Sequence, residues 1–235
     1  MANGLATKVD GLLFDKDGTL FDFSATWDSW ASAVIRELSS GDRAVMADMA
    51  TSMHFDLAAG RFLPTSPVIA GTNREAAECV AAALPGRSAD EIEGYLEQTA
   101  AAAPLVPAVP LDPFLSGLAD RGIRLGVMTN DCEYVARTQL ASAGVAARFD
   151  FIAGFDSGFG AKPAPDPLLA FAGAMSLAPA RVAMVGDSTH DLLAGRAAGM
   201  QTLAVLTGLA SADELAPYAD VVLPDIGHIP AWLAG

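Results

Sequence analysis

Six short apolar runs, each running into a polar residue, constrain this chain more than any other feature. They are KVDGLLFD near the start, IRLGVMTN at 123–130, FDFIAGFD at 149–156, RVAMVGD at 181–187, TLAVLTG at 202–208 and ADVVLPD at 219–225. Each has the length of one strand, and segments of helical character separate several of them, at 132–143, 166–175 and 189–198. The second of these opens with prolines, which the first turn of a helix tolerates. Strands alternating with helices imply an α/β fold, a parallel sheet with helices on both faces. Ligands of such sheets bind at the carboxyl ends of the strands. The polar residues closing the runs stand at those ends.

One interval breaks the alternation. Between the first run and Ile123, Trp27, Trp30, Val34 and Leu38 recur at helical spacing over 26–38, with Ser24 or Thr26 able to cap. Segments 73–84 and 88–102 also predict helices, the first closed by Pro85-Gly86 and the second followed by Pro104. A small helical domain over 23–106, inserted into a main domain of 1–22 and 107–235, is expected. The proline-rich VPAVPLDP at 106–113 would be its return linker.

Hydrophobic residues make up 52% of the chain and charged ones 18%, enough apolar matter to fill such a core. No stretch approaches the roughly 20 apolar residues that span a bilayer. The start, MANGLATKVDG, lacks a basic region and a sustained apolar segment, and reads as no secretory signal. Two cysteines, Cys79 and Cys132, make no disulfide framework and suit the reduced thiols of a cytoplasmic protein. A net charge of −14 argues against nucleic acid and anionic membranes as partners. A monomer or homodimer is expected. Lysine is scarce: Lys8, Lys16 and Lys162 are the only three.

The first run ends in DKDG. If the backbone stays extended, Asp15 and Asp17 share a side while Lys16 points away, and Gly18 permits a tight turn. Adjacent carboxylates tolerate each other when a divalent cation lies between them or one carries a proton. Magnesium accepts one or two carboxylates with water and a phosphate oxygen. An ordinary Asp-Gly turn fits the same four residues. A calcium loop does not, because Thr26 stands where its closing glutamate belongs, and no glycine-rich phosphate loop is present.

Further along, MTN at 128–130, Lys162 in GAKPAPDP and GDSTHD at 186–191 each lie near an expected strand end. In that order, with FDKDGTL at 14–20, they resemble the four motifs of the haloacid dehalogenase-like hydrolase superfamily. The helical insertion after the first strand is similar to the helical cap of its phosphoglycolate-phosphatase-like branch. The resemblance implies a Rossmann-like core. It implies Asp15 as nucleophile, forming an aspartyl-phosphate, and Asp17 as acid and then base. It implies phosphate held by Gly18, Thr129, Asn130 and Lys162. It also implies Mg²⁺ held by Asp15, Asp187 and the Asp17 backbone carbonyl, with Asp191 as ligand or as partner to one. Blander roles exist beside these: Lys162 as a solvated loop lysine, Asp187 and Asp191 as helix-capping groups.

Within that superfamily Asp17 points to phosphoester cleavage rather than dehalogenation, and the absence of lysine from 21–110 argues against the phosphonatases. The expected activity is Mg²⁺-dependent hydrolysis of a small phosphorylated metabolite, phosphoglycolate being the first candidate. A phosphomutase is the alternative, and a phospho-accepting receiver module a more distant one. Substrate choice should lie in the cap, where Arg61 and Arg74 flank FLPTSPVIAGTN; one of them would contact a carboxylate or second polar group of a small phosphate ester, a solvated or helix-paired arginine being the blander role of each. His54 and His190 read as surface residues, Cys132 as packed, and Trp27 and Trp30 as cap core, with one of the tryptophans able to meet the substrate.

Overall fold

All six apolar runs form strands in the computed structural model, which describes residues 9–235. The leading MANGLATK, part of the segment read as signal-free, lies outside the described residues. From the N-terminus, β1 (Gly11–Phe14) leads to helices α1 (Phe23–Leu38) and α2 (Arg43–Ser52), then a small hairpin of β2 (Phe55–Asp56) and β3 (Arg61–Phe62). Helices α3 (Asn73–Ala82), α4 (Ala89–Ala101) and α5 (Leu111–Ala119) precede β4 (Arg124–Met128). There follow α6 (Glu133–Ser142), β5 (Phe151–Ala153), α7 (Asp166–Ala174), β6 (Val182–Gly186), α8 (Thr189–Ala197) and β7 (Gln201–Val205). The chain closes with α9 (Ala212–Leu215), β8 (Val221–Leu223) and α10 (Ile229–Trp232).

The sheet is parallel throughout, in the order β5-β4-β1-β6-β7-β8. Phe14 pairs with Val127 on one side and Val185 on the other, so Asp15, Thr129 and Asp187 emerge together at one edge. Alternation along β1 sorts the core into two layers. Leu12 and Phe14 join Val127 and Val185 beneath Leu115 of α5, Leu140 of α6 and Ile229 of α10. Leu13 faces the other way, onto Met184, Phe171 of α7 and Ala194 of α8. Each large side chain buried this way stabilises the fold by about 1.5–3 kcal/mol.

The helical segment has a core of its own. Ile35 of α1, Met49 of α2, Phe55 and Phe62 of the hairpin, Val80 of α3 and Leu96 of α4 are buried together. That cluster reaches the main sheet layer through Cys132 and Val135 at the start of α6. Thr72 with Glu75, and Ser88 with Glu91, form reciprocal capping boxes that start α3 and α4. Helix α1 is capped by Asp22, which accepts from the Ala25 N–H at 2.8 Å, rather than by Ser24 or Thr26. The helix begins one residue after Asp22, so Ser24 is already inside it and Thr26 is buried.

The two connections into this segment pair with each other. Phe21 and Pro107 form an antiparallel bridge, the Asp22 N–H donates to Val106 O at 2.8 Å, and the Ala108 N–H donates to Leu20 O at 2.9 Å. The expected linker gives way to helix at Leu111, with Pro113 inside the first turn of α5. Among the described residues, no helix is long and apolar enough to cross a membrane.

Candidate active site

Strand β1 stops at Phe14, and the Asp15 N–H makes one last bond, to Val185 O at 2.8 Å. The Asp15 carboxylate then meets Lys162, whose Nζ lies 2.6 Å from Asp15 Oδ1 and 2.6 Å from Asp191 Oδ1. Asp187, at the end of β6, completes the cluster: one oxygen from each of Asp15, Asp187 and Asp191 falls within 4.8 Å of the others. All four side chains are buried. Burial first, then Asp191 and Asp17, push the Asp15 carboxyl up to about 7 against the pull of Lys162. Burial together with Asp15 and Asp191 raises Asp187 well above the carboxylate range. Burial pulls Lys162 down, but Asp15 and Asp191 outweigh it and hold the ammonium above its ordinary value.

The backbone is shaped around Asp187. Gly18 has φ +80°, and a Cβ there would lie 2.4 Å from Asp187 Oδ2. At Gly208 a Cβ would lie 1.7 Å from the same oxygen. Only glycine lets both turns close on the carboxylate. Thr207 Oγ1 ties the turns together by donating to Gly18 O at 2.6 Å, and Thr19 Oγ1 donates to Asp187 Oδ1 at 3.2 Å. Among the described residues Asp187 has no ion-pair partner. Three carboxylates facing one ammonium leave an uncompensated charge suited to a divalent cation, and oxygen donors suit magnesium. Asp15 and Asp187 have the freer oxygens. Asp191 is engaged at both, by Lys162 and by the Ser188 N–H at 3.0 Å and Oγ at 2.6 Å.

Thr129 and Asn130 follow β4 on the same edge. The Thr129 N–H bonds Ala153 O at 3.1 Å, and its hydroxyl accepts from the Asp131 N–H at 3.1 Å, leaving the O–H proton to point elsewhere. The Asn130 side chain accepts from the Lys162 N–H at 2.9 Å and donates to Lys162 O at 2.9 Å. It also reaches Ala70 O of the helical segment at 2.9 Å. Asn130 thereby fixes the backbone that carries Lys162.

Asp17 stands apart from the trio. Its Oδ1 accepts from Trp27 Nε1 at 2.9 Å, and its Oδ2 lies 2.7 Å from Lys16 Nζ. Lys16 therefore does not point away from the aspartates. The extended backbone ends at Phe14, so alternation no longer governs residues 15–17. The Lys16 ammonium is fully buried, 3.1 Å from Asp131 Oδ2, donates to Gln139 Oε1, and sits 5.4 Å from the Trp27 ring centre. Burial works against that charge, yet Asp17 and Asp131 hold it above the usual lysine range. Gln139 in turn donates to Ala100 O, the last residue but one of α4, at 2.8 Å. Lys16, Asp131, Gln139, Thr19 and Gly208 carried no signal in the sequence beyond their nearness to the motifs, the scarcity of lysine excepted.

The haloacid dehalogenase-like hydrolase family model matches residues 9–199. The chain belongs to that family. Relatives include a phosphoglycolate phosphatase of Rhodospirillum rubrum, 29% identical over 94% of this chain and 90% of that one. Another, from Xanthomonas campestris pv. campestris strain 8004, is 30% identical over 94% of this chain and 96% of that one. Among solved structures, a predicted phosphoglycolate phosphatase from Haemophilus somnus 129pt aligns over 97% of this chain and 99% of its own, with a TM-score of 0.73 at 19% identity.

In this haloacid dehalogenase-like hydrolase the remaining sequence expectations fall out unevenly. Cys132 is buried as the N-cap residue of α6, and burial pushes its thiol up to about 12, an inert state at neutral pH. His190 is half-buried at the mouth of the cleft, and His54 lies away from it with Thr65 at 3.1 Å. Neither Arg61 nor Arg74 lines the cleft. Arg61 is exposed, and Arg74 is held by Glu78 at 3.0 Å, Asp90 at 2.5 Å and Glu93 at 3.1 Å.

Proposed function

We propose that this hydrolase is a Mg²⁺-dependent phosphatase that cleaves a small phosphate monoester through an aspartyl-phosphate on Asp15, with segment 23–106 acting as a cap. One observation carries the reading: Asp15 projects from the central strand between an ammonium and two further carboxylates, with Asp17 two residues on. The Asp15 carboxylate attacks phosphorus, and the bond from phosphorus to the ester oxygen breaks. A proton passes from Asp17 to the departing alkoxide. The same carboxylate later takes a proton from the water that splits the acyl phosphate, restoring Asp15 and releasing inorganic phosphate.

Lys162, the Thr129 hydroxyl and the Asn130 N–H orient the phosphoryl oxygens and offset the charge they carry, whereas the Gly18 N–H expected beside them already donates to Phe21 O at 2.7 Å. Asp15, Asp187 and the Asp17 carbonyl would hold Mg²⁺, with Asp191 bracing Lys162 or adding a ligand, and the bound ion would supply further positive charge at those oxygens. Chelation should abolish hydrolysis of p-nitrophenyl phosphate and added Mg²⁺ should restore it. Acid-quenched protein analysed by mass spectrometry should carry a phosphoryl group on the peptide containing Asp15. Turnover that ignores chelation and leaves Asp15 unmodified would refute the proposal. Transfer of the phosphoryl group to a second hydroxyl of the substrate, rather than to water, would mark a mutase.

A further inference from the structure

The space above Asp15 and Asp17 differs sharply from the polar floor beneath it. Its walls are Trp27 and Trp30 of α1, Phe62 of the hairpin, Ile69 and Ala76 before and within α3, and Leu96 of α4. The two indoles meet edge to face at 5.1 Å and 83°, forming one aromatic corner. The chamber has a volume of about 80 Å³, room for a compact group. Among its lining residues Lys162 is the one lysine or arginine, and that ammonium is already shared between Asp15 and Asp191. The adjoining outer cleft, which shares Ile69, Ala70, Gly71 and His190 with it, is lined by Glu75, Glu78 and Glu214 and by no lysine or arginine, with Glu78 paired to Arg74 at 3.0 Å. A second anionic group on a substrate would cross an acidic entrance and lose its hydration against apolar walls with no cation to meet it.

One polar atom stands ready among those walls. Asn73 Nδ2 is buried and donates to nothing, and Asn73 lines the chamber. A buried donor without a partner is costly, and a ligand acceptor would relieve it.

Resting on the phosphatase reading above, we infer that the natural leaving group is an uncharged alcohol. It has a compact apolar or aromatic body that packs on Trp27 and Trp30 and an acceptor oxygen that meets Asn73 Nδ2. Monoesters with a second anionic group, phosphoglycolate among them, are poor substrates.

The full chain with Mg²⁺ tests this by comparing kcat/KM for benzyl phosphate and phosphoglycolate, with p-nitrophenyl phosphate as control. Benzyl phosphate, which supplies the aromatic body alone, should lead by at least about tenfold, the scale at which an apolar pocket discriminates. Turnover of the control with phosphoglycolate equal or ahead would overturn the inference and leave the phosphatase standing. No hydrolysis of any ester, the control included, would overturn both. Ile69→Lys, at a half-buried position of the lining, should raise the ratio of phosphoglycolate to benzyl phosphate about tenfold or more by supplying the absent cation. Val68→Lys places the same charge on the neighbouring lining residue and serves if the first variant fails to fold. An unmoved ratio in the folded variant would contradict the claim.

Discussion

Two buried lysines flank the end of β1, and each sits between two carboxylates. Lys162 lies 2.6 Å from both Asp15 and Asp191, while Lys16 lies 2.7 Å from Asp17 and 3.1 Å from Asp131. The local pattern is the same, yet the surroundings differ. Around Lys162 a third carboxyl group, Asp187, joins in, so the cluster would carry an excess of two negative charges once all three ionise, a charge that a divalent metal would offset. Around Lys16 the excess is one, and Gln139 and the Trp27 ring close the remaining sides. The difference teaches that one extra carboxylate is enough to turn an ion-paired lysine into a cluster with oxygens to spare for a cation. Under the proposed mechanism it would also separate nucleophile from acid, although the two aspartates are only two residues apart.

Removing the nucleophile tests the first cluster most severely. Asp15→Asn should lower kcat by more than about 10⁴-fold while the thermal unfolding midpoint holds or rises, since a buried carboxylate has gone. A variant retaining a tenth of its activity would break the assignment. Asp17→Asn should cost about 10²–10⁴-fold, with the larger loss on alkyl than on p-nitrophenyl esters. Equal losses on both would remove the acid role from the second cluster.

Lys16→Met sharpens the comparison by leaving the buried Asp131 and the half-buried Asp17 without their cation. Breaking a buried pair of this kind costs roughly 3–5 kcal/mol, and urea unfolding should register it. The double variant Lys16→Met/Asp131→Leu should recover much of that loss, and strict additivity would show that the two do not act as a pair. Trp27→Phe keeps the ring and deletes one hydrogen bond to Asp17, for an expected loss of about tenfold in kcat. Arg74→Ala, on the exposed face of α3, should leave KM for every ester unchanged. A raised KM for anionic substrates alone would return that arginine to the site.

The sheet was legible because its strands are buried on both faces and read as nearly continuous apolar runs. The candidate site was legible because Asp15, Thr129, Lys162 and Asp187 each sit just past such a run or between two of them. The second cluster was hidden by a rule applied one residue too far: alternation predicts Lys16 opposite its neighbours, but the strand has ended by then. Gln139 and Asp131 gave no periodic signal, since their partners lie 123 and 115 positions away in the chain. Helix α5 was masked by the prolines of 106–113, although Pro113 occupies a first-turn position that tolerates it. Arg61 and Arg74 looked suited to a substrate because charge near a loop invites that reading. Their acidic neighbours along α3 and α4 supply the simpler account of Arg74.

The stitched crossing at Phe21 and Pro107 gives the helical segment a torsion bar instead of two loose tethers. Twisting that bar turns α1 first, because Asp22 both belongs to the bar and caps the helix. Trp27 rides one turn further along and grips Asp17. A shift of that helix would therefore be carried straight to the Asp17 carboxylate.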